Sequence, residues 1–166
     1  MNAVLRPASP VPAAPLDWQP MTVAWVERIL PIEQQVYSHP WTRGNFIDSL
    51  SAGHWGWVAL EADEPVAYWV AMAVLDEVHL LNLAVARDRW GQGLGQAALA
   101  HLVEASRQRG AAQIWLEVRV SNARAQALYA RNGFEPMGLR RGYYPLNGVQ
   151  REDARLMRRV LQEASA

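Results

Sequence analysis

The chain has 166 residues, with 16 arginines and no lysine, 16 acidic residues and a formal net charge of zero. Apolar residues make up 51% and charged residues 19%, against roughly 45–50% and 25% in an average globular domain, which excludes a mainly disordered chain. The length suits one domain with a real core, zero net charge argues against non-specific nucleic-acid binding, and the absence of cysteine excludes a disulfide framework, a thiolate metal site and a thiol nucleophile.

Residues 1–16 carry Pro7, Pro10, Pro12 and Pro15 and read as a flexible, extended tail. A single domain over residues 17–166 is expected to follow. Val23, Val26, Ile29, Leu30 and Val36 recur at helical spacing, with a kink or boundary expected at Pro31. Thr42 has the character of a helix cap for a short helix from Arg43 to Leu50. Two strands, Trp55 to Leu60 and Pro65 to Val74, flank the turn Glu61-Ala62-Asp63-Glu64. Glu77 to Val85 is near-continuously apolar, the pattern of a strand covered on both faces. Gly93 to Arg109 is the strongest helix, its buried face marked by Leu94, Ala97, Ala98, His101, Leu102 and Ala105, with Gly110 as terminator. A strand from Gln113 to Val118, a helix from Asn122 to Asn132 and strands Phe134 to Tyr144 and Asp153 to Leu161 complete the chain. The order predicts an α/β domain with a mixed sheet, its Glu77-to-Val118 segment a β-α-β unit with parallel strands and a right-handed crossover. No apolar run approaches the length of a membrane helix, and the N-terminus lacks the pattern of a signal peptide. A cytoplasmic protein is the expectation.

Between the buried strand and the strongest helix lies Arg89-Trp90-Gly91-Gln92-Gly93-Leu94-Gly95. Alternate glycines remove side chains where backbone must approach something closely. The helix that follows opens with unpaired N–H groups at the positive end of its dipole, an anion site suited to phosphates. A Walker loop would need a lysine, which the chain lacks, and a dinucleotide fingerprint would need glycine where Gln96 stands. The plainer alternative is a glycine turn kept for packing.

The Leu83-Ala84-Val85 strand end, the loop from Trp90 to Gly95 and the Ala/Leu-rich helix resemble the GCN5-related N-acetyltransferase (GNAT) family, whose motif is Gln/Arg-x-x-Gly-x-Gly/Ala. Gly93 and Gly95 match; Trp90 stands where Gln or Arg is usual. The order Trp115-Leu116-Glu117-Val118-Arg119, Ser121-Asn122, Ala127-Leu128-Tyr129, Gly133-Phe134, Arg140-Arg141, Tyr143-Tyr144-Pro145 and Arg151-Glu152-Asp153-Ala154 is similar to the RimI type within it. Those enzymes acetylate the N-terminal alanine of a small-subunit ribosomal protein. The resemblance covers roughly residues 22 to 160. It implies the GNAT fold, a mixed central β-sheet flanked by helices with a β-α-β acetyl-coenzyme A-binding core. It further implies that Gly91, Gln92, Gly93, Leu94, Gly95 and Gln96 surround the donor's diphosphate. Backbone at Leu83, Ala84 and Val85 would pair with the pantetheine arm, and Asn122 would touch the donor; Asn122 also suits a helix cap.

The chemistry such a reaction needs can be stated from first principles. An N-terminal amine has a pKa of about 7.7–8.0 against about 10.4 for lysine, so near neutrality roughly a tenth of it is already the free base. A carboxylate acting through water then suffices as general base. Glu117, in the apolar strand Ile114-Trp115-Leu116-Glu117-Val118, is the candidate base, with burial expected to raise its pKa; pairing with Arg119 or another arginine is the plainer alternative. Tyr129 is the candidate acid toward the leaving thiolate, with an aromatic core role as its alternative. A backbone N–H near Leu83 to Val85 would hold the oxyanion. Arg140, Arg141, Tyr143 and Tyr144 would border the acceptor groove; Trp41 would wall it or simply pack. Glu152 and Asp153 would meet a basic residue following the acceptor's first alanine. His54, His79 and His101 have no metal-ligand spacing, and no metal is assigned. The expected partners are acetyl-CoA and the N-terminus of a ribosomal protein, without membrane or direct nucleic-acid contact. The rivals are an acetyltransferase for a small amine or a lysine side chain, and a non-catalytic acyl-CoA-binding module.

Overall fold

The computed structural model describes residues 15–161. The proline-rich stretch up to residue 14 lies outside the described residues. The elements are β1 (Asp17–Pro20), α1 (Val23–Val36), α2 (Arg43–Ser51), β2 (Trp55–Glu61), β3 (Glu64–Val74), β4 (Glu77–Val85), a 3-10 turn (Arg87–Arg89), α3 (Leu94–Gln108), β5 (Gln113–Arg119), α4 (Ala123–Arg131), β6 (Glu135–Pro145) and β7 (Arg151–Val160). Local chemistry explains several boundaries. Thr42 caps α2 in a reciprocal box with Asn45. Ala62 and Asp63 both take positive φ in the β2–β3 turn, the backbone twist that a tight hairpin requires.

The strands form one seven-stranded sheet in the order β1-β2-β3-β4-β5-β7-β6. The β4–β5 pair is parallel, as the β-α-β reading requires, and the others are antiparallel. Alternation along β3 separates two cores. Trp69 and Ala71 join Val78, Leu80, Leu99, Leu102 and Ile114 beneath α3. Tyr68 and Val70 join Val26, Ile29, Ile32 and Phe46 beneath α1 and α2. Helices therefore cover both faces of the sheet's centre.

Four expectations need correction. α1 runs unbroken through Pro31; that residue is exposed, so the carbonyl it leaves without a donor can face water. The doubly covered strand is β3, buried continuously from Val66 to Ala71, whereas β4 alternates and exposes Leu81. Both strands pack against α1 and α3, but β4 borders the gap left where β5 parts from it. On α3 the buried stripe is Leu94, Ala98, Leu99, Leu102, Val103 and Ser106, with Ala97, His101 and Ala105 half-buried at its margin. Leu16, assigned to the tail by composition, packs against the cluster of Ala59, Val66, Ala67 and Leu94.

Candidate active site

The sheet opens where β4 and β5 part. They pair only over Glu77–Leu80 and Gln113–Leu116, so Leu81–Val85 and Glu117–Arg119 no longer share hydrogen bonds with each other. The β3–β4 register shifts at this point, pairing Val70 with Asn82 and Ala71 with Leu80, which leaves Leu81 as the extra residue of a bulge. The Ala86 N–H donates to the Val66 carbonyl (2.9 Å), so the even-numbered residues beyond the bulge face β3. Leu83 and Val85 then turn their backbone groups toward the opening. Their carbonyls accept from the Tyr37 hydroxyl and from Trp90 Nε1 at 2.9 Å. An open crevice at the carboxyl ends of parallel strands is where α/β sheets bind ligands.

The glycine loop closes one end of this crevice. Gly91 and Gly93 have φ of +79° and +81°, and a Cβ on either would meet nothing within 4 Å. Their role is the left-handed turn that brings the start of α3 to the crevice. Gly95 differs: a Cβ there would lie 3.0 Å from Leu128 Cδ2, so it serves the close approach of α3 and α4. Gln92 is exposed and Leu94 is buried in the core. Gln96 accepts from Asn132 Nδ2 (2.9 Å). Asn122 caps α4, accepting from the Ala125 N–H (3.1 Å).

Glu117 stands on the β5 side, its side chain 22% exposed and ion-paired with Arg140. Pairing of the expected base with an arginine is thus what the fold builds, and Arg140 is the partner, lying 4.5 Å over the Tyr143 ring. The Tyr144 hydroxyl donates to the Glu117 backbone carbonyl (3.1 Å). Tyr129, on α4, is buried against Phe134 with ring centroids 5.7 Å apart, and burial pushes its phenol up to about 12. Burial raises the pKa of Tyr37 and of Tyr144, and the neighbouring Tyr129 adds to the rise in each. Three phenols held in their protonated form therefore surround the crevice.

The chain end of β5 carries a second ion pair. Arg119 meets Glu152 at 2.7 Å, donates to the Pro145 carbonyl (2.9 Å) and stacks 4.5 Å over Tyr144. The Arg119 hydrogen bond holds the Glu152 carboxyl below the usual carboxylate range. The Asp153 carboxylate accepts from the Gly142 N–H (2.8 Å). Glu152 is thus tied to β5 and Asp153 to the β6 backbone, each from the start of β7. Arg141 is exposed.

Sequence reasoning missed Glu33. It is 1% exposed on α1 and accepts from the Trp41 N–H (2.8 Å), Asn82 Nδ2 (3.0 Å) and the Tyr68 hydroxyl. One buried carboxylate thereby ties α1 to the α1–α2 loop, to β3 and to the bulge of β4. Trp41 packs its ring on Phe46, centroids 5.1 Å apart, while its backbone hangs from Glu33. The signal available in sequence was weak: Glu33 follows Ile29 and Ile32 on the apolar stripe of α1, where an acid needs a reason.

A cavity of about 420 Å³ lined by His54, Trp55 and Arg109 lies at the opposite end of the sheet, away from the crevice. Among the described residues no cluster of His, Asp and Glu could hold a metal ion, and no helix is long and apolar enough to cross a membrane.

Comparison with known proteins decides the family. Residues 24–134 match the acetyltransferase (GNAT) family. The chain belongs to the GNAT family. It is 40% identical over 126 residues to the ribosomal protein bS18-alanine N-acetyltransferase of Escherichia coli K12, covering 76% of this chain and 84% of that protein. The relative of the same name in Haemophilus ducreyi is 35% identical over 130 residues, covering 78% and 90%. The crystal structure of the Escherichia coli ribosomal-protein-alanine enzyme superposes with a TM-score of 0.83 at 35% identity, over 90% of this chain and 96% of that one. A GNAT protein takes acetyl-CoA as its acetyl donor, and the crevice suits that molecule. It pairs a strand edge left without a strand partner, for an amide-bearing arm, with a left-handed glycine turn and a helix start for a diphosphate.

Proposed function

We propose that this GNAT protein moves the acetyl group of acetyl-CoA to the α-amine of an N-terminal alanine on the bS18-type ribosomal protein, by direct attack. The observation that carries this reading is the juxtaposition at the parted strands. The Leu83–Val85 edge faces Glu117 and Tyr129, with the glycine loop at one end and Arg119, Tyr143 and Tyr144 at the other. The named acceptor of the relatives at 35–40% identity supplies the substrate class. Such a partner would place the enzyme in the cytoplasm.

In this reading Arg140 yields Glu117 to the incoming ammonium, and Tyr143 keeps a cation-binding face beside it. Glu117 takes the ammonium proton, directly or through water. The free amine attacks the thioester carbonyl, and backbone N–H groups of Leu83 and Val85 hold the oxyanion. Collapse expels the sulfur, and the nitrogen gives up its second proton to the solvent side. Full transfer from Tyr129 at about 12 to a thiolate of pKa ~8.5 is uphill by about 5 kcal/mol. A hydrogen bond to the developing thiolate is therefore the larger part of the tyrosine's role. Incubating the enzyme and acetyl-CoA with Ala-initiated bS18 peptide tests the proposal: a 42-dalton gain (the mass of an acetyl group) on the first residue supports it. Acetyl found only on a lysine or a small amine refutes the acceptor assignment.

A further inference from the structure

The residue at which this chain departs from the family motif makes two contacts that nothing in the mechanism uses. Trp90 Nε1 donates to the Val85 carbonyl at 2.9 Å. That carbonyl lies on the open edge of β4, past the last residue paired with β5. The Trp90 ring, 38% exposed, sits 4.5 Å from the Arg124 guanidinium at the start of α4 and 5.4 Å from that of Arg87. One indole thus spans the mouth of the crevice, from the end of β4 to the first turn of α4, just ahead of the glycine turn. An exposed strand edge is a liability because its donors and acceptors invite pairing with another chain. Trp90 covers this one at its outer end.

We propose that Trp90 is a specificity-determining residue of the donor site, holding the Val85 carbonyl until an amide-bearing donor takes that hydrogen bond from it. The inference rests on the acetyl-CoA reading above. A donor arm that adds to the β4 edge as a strand does must present an N–H to an outward-facing carbonyl. The Leu83 carbonyl is already held from the α1 side by Tyr37, so Val85 is the outer acceptor. The indole and the donor amide compete for it. When the indole swings away, Arg124 and Arg87 lose its ring face and stand beside the glycine turn as two cations for the diphosphate. A nucleotide that carries the phosphates but no amide arm does not reach Val85, so the hydrogen bond to be displaced lowers the affinity of the arm-bearing donor alone.

Trp90→Phe keeps the ring beside both arginines and deletes only the N–H. Titration calorimetry compares wild type and W90F for two probes, coenzyme A and adenosine 3′-phosphate 5′-diphosphate. The proposal expects W90F to bind coenzyme A about two- to tenfold more tightly, the size of one net hydrogen bond, with the nucleotide unchanged. It also expects coenzyme A to shift the tryptophan emission of the wild type, and that shift to shrink in W90F. Equal coenzyme A affinity in the two proteins, or an equal gain for the nucleotide, overturns the inference while leaving the donor reading intact. Failure of the wild type to bind coenzyme A at all overturns the donor reading, and this inference with it. Circular dichroism melts of both proteins confirm that W90F is folded.

Discussion

Replacing Glu33 with glutamine asks how much the crevice depends on a charge that never touches the substrate. The carboxylate accepts from three groups in a site 1% exposed. A hydrogen bond to a charged group contributes about 1.5–3 kcal/mol against about 1 for a neutral one, so losing the charge costs about 1 kcal/mol for each of three bonds. Glutamine also turns an amide toward donors. With its oxygen kept on Tyr68 and Asn82, its NH2 faces the Trp41 N–H, and a buried unpaired donor costs a further ~1–3 kcal/mol. The sum is about 4–6 kcal/mol, which for a chain of this size lowers Tm by roughly 10–20 °C. The functional cost reaches the donor edge, because the β4 bulge beside Leu83–Val85 loses its anchor. We expect E33Q to lower kcat and to raise the KM for acetyl-CoA by more than about twofold, a shift above ~0.4 kcal/mol. Y68F removes one donor and is expected to melt between wild type and E33Q. Scanning calorimetry and steady-state kinetics on both variants check this. An E33Q melt within about 2 °C of wild type, a change of under ~1 kcal/mol, would refute the anchoring role.

Other substitutions probe the reacting groups and the frame. E117Q is expected to lower kcat by about 10²–10⁴ without changing the Kd for coenzyme A, the range for a lost general base. Y129F is expected to lose about ten- to a hundredfold, the size of one hydrogen bond to a developing thiolate, measured with saturating peptide. Burial depresses the His101 pKa, and His101 Nδ1 accepts from Trp69 Nε1 (3.2 Å), so the neutral ring is the folded form. Its contribution is present above the ordinary histidine pKa of about 6.5 and is lost as pH falls below it. Tm should therefore drop as pH falls below about 6.5, and H101F, which keeps the stack on Trp18, should flatten that slope. Gly93→Ala places a side chain at φ +81° and is expected to cost about 1–2 kcal/mol of stability and to weaken coenzyme A binding in titration calorimetry.

Much of the frame is written as local pattern. Thr42, Gly110 and Gly133 mark helix ends by chemistry that acts within a few residues, and the apolar run from Glu77 to Val85 has the bounds of β4. The glycine loop announced the donor crevice because a left-handed turn ahead of a helix is a local requirement. What stayed hidden depends on contacts far apart in sequence. β1, four residues long, is a strand only because β2 supplies its partners. The bulge at Leu81 arises from the β3 register. Arg140 reaches Glu117 because β7, paired with both β5 and β6, brings the β6 chain alongside. Glu33 acquires its role only where Tyr68, Asn82 and Trp41 converge on it from three elements.

The central claim is that Glu117 serves an acetyl transfer to an N-terminal amine across the parted strands. Its most direct measurement is the rate of acetyl gain on the first residue of an Ala-initiated bS18 peptide, followed by mass spectrometry across pH with wild type and E117Q. The account predicts rapid gain with wild type and loss of at least about a hundredfold with E117Q at unchanged coenzyme A affinity. Equal rates for the two proteins, or acetyl appearing only on lysine, would contradict it.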